Sequence, residues 1–582
     1  MSLIYILISI ITIIMFMALK KTNKKENIIL WTVLAIITKM CLNIFIAVVF
    51  SIVNIKCSLT NLSIVQIILI IAIGIKIIKD KQIQKYYIKI QDIIMIIILL
   101  ILVIIIGIKQ YGIPFNAKYI ITDGAVHFLS TTEFYEASHL LTSEESNFLN
   151  NFSTFMPGAY VNCGILLKGL SSFISVKDYY TIFALFDLGV LFLSGALFYF
   201  IISSKKHKKS EYILAYIFTI IYLIGYALNS TLSGFCYLSL GLDFILSMII
   251  LIKYIKDKND INTILMFLIN FGLFFSYYYF APVVYVGVFI YLLQIWKKKR
   301  TKIFKTENII NIFFILILPG LFGIYYMFLK EIFTFNYVMP NDALKIEGEI
   351  YSNNISNFIP FIPFVIIYTI NLIKKKKIDI KFNILLLEIL FIITLLIGKL
   401  LGKVSNYYFY KAYYLLWIVT LITAFEGFIF VKRKKKIIAY IFIILYSIGL
   451  IFSLIINKPL YIYDIYYYNL SNMNAEYIIK SEYFEIVDYY YKNLEKEKKT
   501  VYVAEAYTGG RTKWLYALYK NPLYNFNFQD EDERTILDRW LESKEEQYFI
   551  YYKDDFNYEP DFNNTKYEIV LNNSSGAILK KK

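Results

Sequence analysis

The chain has 582 residues, of which 58% are hydrophobic and 18% aromatic, and it carries a formal net charge of +17. Its mean hydropathy of +0.58 and its repeated apolar runs of about 20 residues exclude a soluble globular protein and indicate a polytopic membrane protein. The four cysteines have no metal-ligand spacing, so we interpret them as small core residues. They are Cys41, Cys57, Cys163 and Cys236.

The positive charge is unevenly distributed along the chain. Residues 458–582 carry a net charge of −4, whereas the more apolar remainder carries +21. Cytoplasmic loops of membrane proteins are enriched in Lys and Arg, so topology explains the excess better than nucleic-acid binding does. No segment resembles a nucleic-acid-binding module, and we expect no nucleic-acid partner.

The apolar runs predict an all-α polytopic membrane protein with about fourteen transmembrane helices. The first run lacks a basic leading region and a clear cleavage site, so we interpret it as a retained span. Segment 158–175 is ambiguous, because it could be a membrane-surface helix or a re-entrant segment. The predicted spans are 2–19, 28–53, 63–78, 92–108, 179–202, 213–229, 237–252, 261–276, 283–296, 309–329, 358–373, 382–401, 412–431 and 437–456.

Seven basic clusters test this arrangement. If 158–175 does not cross the membrane, all seven clusters fall on one side, as the positive-inside rule requires. The N-terminus, the loop 109–157 and everything after residue 457 then lie on the outer face. The clusters are at 20–25, 79–89, 205–209, 253–258, 297–305, 374–381 and 432–436.

Four regions follow from this topology. N-terminal transmembrane helices occupy 1–108, an extracytoplasmic loop occupies 109–157, and a transmembrane helical core occupies 158–456. Residues 457–582 resemble a small extracytoplasmic α/β domain. In it we predict strands at 501–506 and 547–555 and helices at 511–519 and 532–544, an alternation that favours a βαβ arrangement.

The loop 109–157 is unusually rich in groups that can move protons or bind metal. Its segments ITDGAVHF (121–128) and EFYEASH (133–139) contain two of the three histidines of the chain. We therefore predict that this loop is catalytic. Its candidate residues are Asp123, His127, Glu133, Glu136 and His139.

Asp123 and His127 are four residues apart, so on a helix they would share one face. Competing interpretations are simpler. Asp123 precedes Gly124 and could be only a helix N-cap. Each histidine, taken alone, could be a surface residue or a packed core residue.

The chemistry that suits these groups is glycosyl transfer. Asp123 would deprotonate an acceptor hydroxyl, which would attack the anomeric carbon of a sugar on a lipid phosphate carrier. His127 is the second catalytic candidate, and Glu133, Glu136 and His139 are candidates for substrate contact. A divalent cation such as Mg²⁺ or Mn²⁺ could offset the phosphate charge, held by Asp123, His127 and His139.

A leaving lipid phosphate also needs a cation. Lys403 and Lys411 flank SNYYFY (405–410) in a predicted outer loop, and with Tyr407 they are candidates for substrate binding. The competing interpretation is interfacial anchoring by Lys and Tyr. Arg511, next to the TGG turn, is a further candidate for substrate contact, against a simple solvated turn.

This layout resembles the GT-C class of membrane glycosyltransferases. The resemblance rests on the ITDGAVHF loop entry, the polar run to Pro157 and the outer tail, and it covers the architecture of most of the chain. That class has many helices, a long outer catalytic loop with an acidic residue near its start, and polyprenyl-phosphate sugar donors. Two features depart from its pattern: three extra spans precede Asp92, and Gly124 stands where several families pair Asp with Glu.

The resemblance implies an inverting glycosyltransferase at the outer face of a bacterial plasma membrane, with a lipid-linked sugar as donor and an envelope glycan, lipid or protein as acceptor. Two alternatives stay open. A surface-polysaccharide polymerase or ligase would share the substrate class. Ionisable residues within spans would suit a transporter or flippase of lipid-linked oligosaccharide, although we see no repeat with paired broken helices. These residues are Lys39, Asp187, Asp243, Glu388 and Glu426.

Overall fold

Long apolar helices dominate the part of the chain that the computed structural model describes. Twelve helices in that part are long and apolar enough to cross a membrane. This confirms a polytopic α-helical membrane protein. The structure describes residues 1–19, 24–81, 83–118, 122–140, 156–204, 208–255, 261–298, 305–326, 343–345, 354–456, 458, 460–504, 510–519, 533–554, 559–561 and 563–582.

The helices of the first half follow the predicted spans. The second helix starts with a side-chain cap: the Asn27 side chain accepts hydrogen bonds from the backbone N–H groups of Ile29 and Leu30. The helices are α1 (Ser2–Ala18), α2 (Ile28–Ile52), α3 (Leu59–Asp80), α4 (Ile90–Tyr111), α5 (Thr122–Ala137), α6 (Gly158–Leu170), α7 (Tyr179–Ser203), α8 (Lys209–Tyr222), α9 (Leu228–Leu232), α10 (Cys236–Leu251), α11 (Ile261–Tyr277) and α12 (Ala281–Lys298).

The second half continues this pattern. Two π-helical turns interrupt the bundle, one at Leu223–Ala227 between α8 and α9 and one at Phe313–Ile317. The helices that follow are α13 (Thr306–Ile312), α14 (Leu318–Ile324), α15 (Ile362–Lys374), α16 (Ile380–Leu400), α17 (Asn406–Lys434) and α18 (Lys436–Ile455).

The chain reverses direction between α11 and α12. Tyr277 leaves helical geometry, with φ −156° and ψ 79°, and a short 3-10 turn follows it. The Tyr285 hydroxyl then donates a hydrogen bond to the Asn270 carbonyl at 2.9 Å. Along a continuous helix these residues would be about 22 Å apart, so α12 folds back along α11. This reversal is what the two predicted spans 261–276 and 283–296 require.

Helix α6 explains the ambiguous segment 158–175. It has 13 residues, about 20 Å of helix, which is shorter than the roughly 30 Å hydrocarbon core of a bilayer. It packs among α1, α2, α5 and α10, and its polar residues Asn162 and Lys168 are buried. Burial on nearly every side does not fit a membrane-surface helix, so this segment is a short helix inside the protein.

The tail contains the predicted strands and helices. A four-stranded sheet has the order β5–β6–β8–β7. The parallel pairing of β5 with β6 is the geometry expected of a βαβ arrangement, whereas β8 is antiparallel to both neighbours. The tail elements are α19 (Asp464–Met473), β4 (Tyr477–Ile479), α20 (Ser481–Tyr489), β5 (Val501–Val503), α21 (Gly510–Tyr519), α22 (Glu533–Glu542), β6 (Tyr548–Tyr552), β7 (Tyr567–Asn572) and β8 (Gly576–Lys581).

The sheet buries both of its faces. On one face Val503, Ile550 and Ile578 join the core of the helical bundle. On the other face Tyr502, Phe549 and Leu579 form a separate small core with Ile536 and Trp540 of α22. Strand β6 is buried along its whole length, as expected of a strand covered on both sides.

The tail is also hydrogen-bonded to the loop that follows α4. Two short strands of the first half, β1 (Glu26–Asn27) and β2 (Tyr86–Tyr87), pair in parallel. Strand β3 (Ala117–Lys118) pairs antiparallel with β4. The Lys118 ammonium donates to the backbone carbonyls of Lys109 and Met473. Residues 119–121 and 141–155 of the predicted loop lie outside the described residues, as do residues 508 and 509 of the predicted turn.

The topology predicts that Lys403 and Lys377 lie on opposite sides of the membrane. They flank α16, whose 21 residues extend for about 32 Å, and both side chains are exposed. We expect an impermeant maleimide to label Lys403→Cys in intact cells and Lys377→Cys only after permeabilisation. The native cysteines are all buried, which keeps background labelling low. Labelling of both variants in intact cells would contradict the topology.

Candidate functional site

Helix α5 carries the first half of the candidate site. Asp123 lies in its first turn and His127 one turn later, so the two side chains share a helix face as predicted. The helix lies close against α6 because residue 164 is glycine: a Cβ there would be 2.6 Å from the Phe134 ring. Both Asp123 and His127 are half-buried.

Lys411 of α17 forms the second half of the site. Its side chain is only 3% exposed, and its ammonium donates a hydrogen bond to the Tyr237 hydroxyl at 2.7 Å. The Lys411 nitrogen lies 4.0 Å from the centroid of the Tyr407 ring and 4.4 Å from that of Phe235. Such cation–π contacts compensate a desolvated cation. We call this group the aromatic cage; its rings are Phe235, Tyr237, Tyr277, Tyr407 and Tyr408.

The aromatic cage joins α5 to α10 and α17. The His127 ring lies 4.6 Å from the Tyr237 ring, and Tyr237 is also the hydrogen-bond partner of Lys411. Gly234 precedes these aromatic residues and adopts a φ of +72°, a left-handed conformation that favours glycine. That turn between α9 and α10 brings Phe235 and Tyr237 to the cage.

The Asp123 carboxyl is electrostatically coupled to this group. Burial raises its pKa, and this effect outweighs the opposing effects of the Lys411 charge, the Lys513 charge and a hydrogen bond from Tyr407. A raised carboxyl pKa favours proton acceptance near neutral pH, which is the property of a general base. Asp123 therefore has a suitable environment for its predicted role.

His127 is neutral at physiological pH. Burial, followed by the repulsive charge of Lys411, lowers its pKa to about 3. A neutral imidazole can orient a neighbouring group, accept a proton or bind a metal, but it cannot supply a standing positive charge. The other basic group of this cluster is the Lys411 side chain.

The three predicted metal ligands are not brought together. His139 follows the C-terminus of α5, where its Nδ1 lies 3.0 Å from the Ala137 carbonyl, and α5 separates it from Asp123 by about 24 Å. Within the described ranges no group of three or more His, Cys, Asp or Glu residues is placed to hold a metal ion. Asp123 and His127 alone share a helix face that could contribute two ligands.

The other predicted contact residues also lie apart from Asp123. Glu133 and Glu136 follow it by about 15 and 20 Å along α5; Glu133 is buried and Glu136 exposed. Lys403 is exposed on the turn before α17. Arg511 donates to the Ile478 carbonyl at 3.2 Å, a contact that joins α21 to β4.

Sequence reasoning missed five members of the site. Phe235, Tyr237 and Tyr277 belong to predicted spans or their ends, where aromatic residues are common and gave no specific signal. Tyr408 follows the candidate Tyr407, and its ring belongs to the aromatic cage. Lys513 lies two residues after Arg511, and its charge acts on Asp123.

Two of the ionisable residues within spans have clear structural partners. Glu426 forms an ion pair of 2.7 Å with Lys381, and Lys39 donates to Asn43. Glu388 differs, because its buried carboxyl oxygens have no hydrogen-bond partner in the described part of the chain, and Asp243 is buried beside Ser194. Asp187 is buried beside Tyr111.

The low pKa of His127 predicts a specific pH dependence of stability. Between its ordinary pKa of 6.5 and about 3, the unfolded chain binds a proton that the folded chain does not, so stability falls as the pH falls through this window. We expect the melting temperature in detergent to drop between pH 6.5 and 4.5, and to drop less in His127→Gln. The raised pKa of Asp123 acts in the opposite direction in both proteins, so parallel melting curves would contradict the assignment.

The comparisons with known proteins do not assign a family. No protein-family model matches the chain, and no curated protein matches it. We therefore infer a function from the arrangement of Asp123, His127, Lys411 and the aromatic cage.

Proposed function

We propose that this chain is an integral membrane glycosyltransferase of GT-C type, which transfers a sugar from a lipid-phosphate carrier to an envelope glycan, lipid or protein. The observation that carries the proposal is the convergence of Asp123 and Lys411. They come from distant parts of the sequence, yet the face of α5 that carries Asp123 and His127 meets Lys411 through Tyr237, whose ring lies 4.6 Å from the His127 ring and whose hydroxyl accepts from the Lys411 nitrogen at 2.7 Å. A base and a cation in one partly accessible site suit attack by a hydroxyl on a phosphate-activated sugar.

Each side chain has a defined role in this reaction. The acceptor O–H proton passes to the Asp123 carboxylate while the acceptor oxygen forms a bond to the anomeric carbon. The bond from that carbon to the phosphate oxygen breaks, and its electron pair stays on the lipid phosphate. Attack from the face opposite the leaving group inverts the anomeric centre. Lys411 offsets the phosphate charge, and His127 orients the carboxyl or the acceptor.

A divalent cation fits this site only with help from the substrate. Asp123 and His127 offer one carboxylate and one imidazole, a pair that suits Mn²⁺ better than Mg²⁺. The donor phosphate would have to complete the coordination. A metal bound there would add charge stabilisation to that of Lys411.

The proposed location is the outer face of a bacterial plasma membrane. The structure has twelve long apolar helices among its described residues, with α11 and α12 counted together. Counting α11 and α12 as two crossings and adding the short apolar helix α1 gives the proposed fourteen crossings. With the basic clusters inside, α5, the N-terminus of α17 and the tail lie outside. This is the face on which polyprenyl-linked sugars of envelope glycans are used by the class that the chain resembles.

The central test is a transfer assay with radiolabelled polyprenyl-phosphate sugars and membranes matched for protein level. We expect Asp123→Asn to lose transfer by more than about a hundredfold, the range of general-base catalysis. Glu476→Gln is a matched control, because Glu476 is an exposed tail carboxylate outside the site. A mutant with wild-type activity would exclude Asp123 as the base and leave the reaction class standing.

A second variant tests the role of the cation. We expect Lys411→Met to raise the donor KM by at least about tenfold, because a charge-assisted contact to phosphate is lost. Lys403→Met is the comparison for the competing phosphate site in the exposed turn. If neither wild type nor variants transfer sugar, while loss of Asp187 or Asp243 stops movement of a lipid-linked glycan, the transporter alternative replaces the proposal. Transfer of a whole glycan chain would favour the polymerase or ligase.

A further inference from the structure

The helical rod formed by α8 and α9 is broken at Gly225. This residue has non-helical angles, φ −86° and ψ −126°, inside the π-helical turn Leu223–Ala227. The break distorts the hydrogen-bond ladder of the rod, in which the Gly225 carbonyl still accepts from the Leu228 N–H. In a water-poor membrane interior, a further donor stabilises carbonyls at such a distorted turn.

The donor comes from the first helix of the tail. Asn469 of α19 donates hydrogen bonds to the Ile224 carbonyl at 2.7 Å and to the Gly225 carbonyl at 2.9 Å. Its own carbonyl accepts from the Asn229 amide at 2.9 Å, and Asn229 accepts from the Tyr414 hydroxyl at 2.7 Å. Asn229, Tyr414 and Asn469 are each at most 1% exposed, so these hydrogen bonds are shielded from water and specific.

The same network fixes the face of α17 that carries the Lys411 ammonium. Lys411, Tyr414 and Trp417 are three residues apart in succession and lie along one side of that helix. Trp417 packs on the break itself, because a Cβ at Gly225 would be 2.9 Å from its indole. Its indole N–H also donates to the Tyr222 carbonyl. The Tyr414 ring contacts Phe235 of the aromatic cage.

We propose that Asn469 is a positioning residue of the site, which sets α17 through Asn229 and Tyr414 so that Lys411 stands in the aromatic cage beside Asp123. The catalytic role of Asn469 rests on the proposed function, whereas its role in positioning α17 does not. It assigns the tail a part in the site: α19 supplies the donor that holds a broken helix in its observed shape. Movement of α17 would displace Lys411 and Tyr407 together.

The first test asks whether Asn469 acts through Lys411. Asn469→Asp keeps the size of the side chain but removes both donors and faces two carbonyls with oxygen atoms. In the protein that retains Lys411, we expect Asn469→Asp to lower kcat/KM for the donor by about tenfold or more. In the Lys411→Met protein, we expect the same substitution to lower it by less than about threefold. A merely structural effect would lower kcat/KM by the same factor in both proteins, and such additivity would overturn the proposal.

A matched control and a milder variant accompany this test. Asn472→Asp changes a buried residue of the same helix whose amide nitrogen has no hydrogen-bond partner among the described residues, and we expect it to keep wild-type kcat/KM. If Asn469→Asp does not accumulate in membranes, Tyr414→Phe replaces it, because it removes only the hydroxyl that donates to Asn229. A Tyr414→Phe variant with wild-type kcat/KM would overturn the proposal.

The second test is independent of catalysis. Lys411→Cys is placed in a chain whose native cysteines are changed to alanine, and its rate of reaction with a small charged methanethiosulfonate reagent is measured. We expect Asn469→Asp to raise that rate at least tenfold and to leave the rate at Lys403→Cys, an exposed position, unchanged. An unchanged rate at position 411 would overturn the proposal. A changed rate in a protein that transfers no sugar would uphold the positioning and reject the proposed function.

Discussion

Burial of the Lys411 ammonium is the constraint around which the candidate site is arranged. A lysine that is 3% exposed loses most of its hydration, which costs several kcal/mol unless other groups replace the water. Here the Tyr237 hydroxyl and the faces of several aromatic rings do so. The rings come from α10, α11 and α17, so satisfying one charge forces three elements to converge. Asp123 and His127 of α5 lie beside the same group, which makes one site of residues from four helices.

The C-terminal tail is part of this arrangement. Strand β4 pairs with β3 at the entrance to α5, and α21 packs on α5 itself. Lys513 of α21 acts on the Asp123 carboxyl, and Asn469 of α19 holds the break at Gly225. The tail thus touches both halves of the site, the helix with the carboxyl and the helix with the ammonium.

Polar side chains from neighbouring helices provide hydrogen-bond and ion-pair partners for helix breaks and buried charges in the bundle. At the π-helical turn Leu223–Ala227 the donor is Asn469, and at Phe313–Ile317 the Asn270 side chain donates to the Ile315 carbonyl at 2.6 Å. In both places the side-chain amide of an asparagine from a separate helix donates to a backbone carbonyl at the π-helical turn. Lys381 and Glu426, two buried charges on different helices, pair with each other in the same way. These residues stabilise the bundle, whereas Asp123 and His127 stay partly accessible.

The sequence by itself determined the polytopic helical class, nearly all helix positions, the elements of the tail and the shared helix face of Asp123 and His127. Hydropathy, helical period and residue spacing are local properties, so they can be read along the chain. It also selected Tyr407 and Lys411, although as residues of a loop. Only the tertiary structure decided that these residues meet Asp123, that α6 is buried, that Glu133 and Glu136 lie far along α5, and that His139 lies beyond its end. It also added Lys513, whose charge acts on Asp123. Such contacts depend on how distant helices pack, which no local pattern encodes.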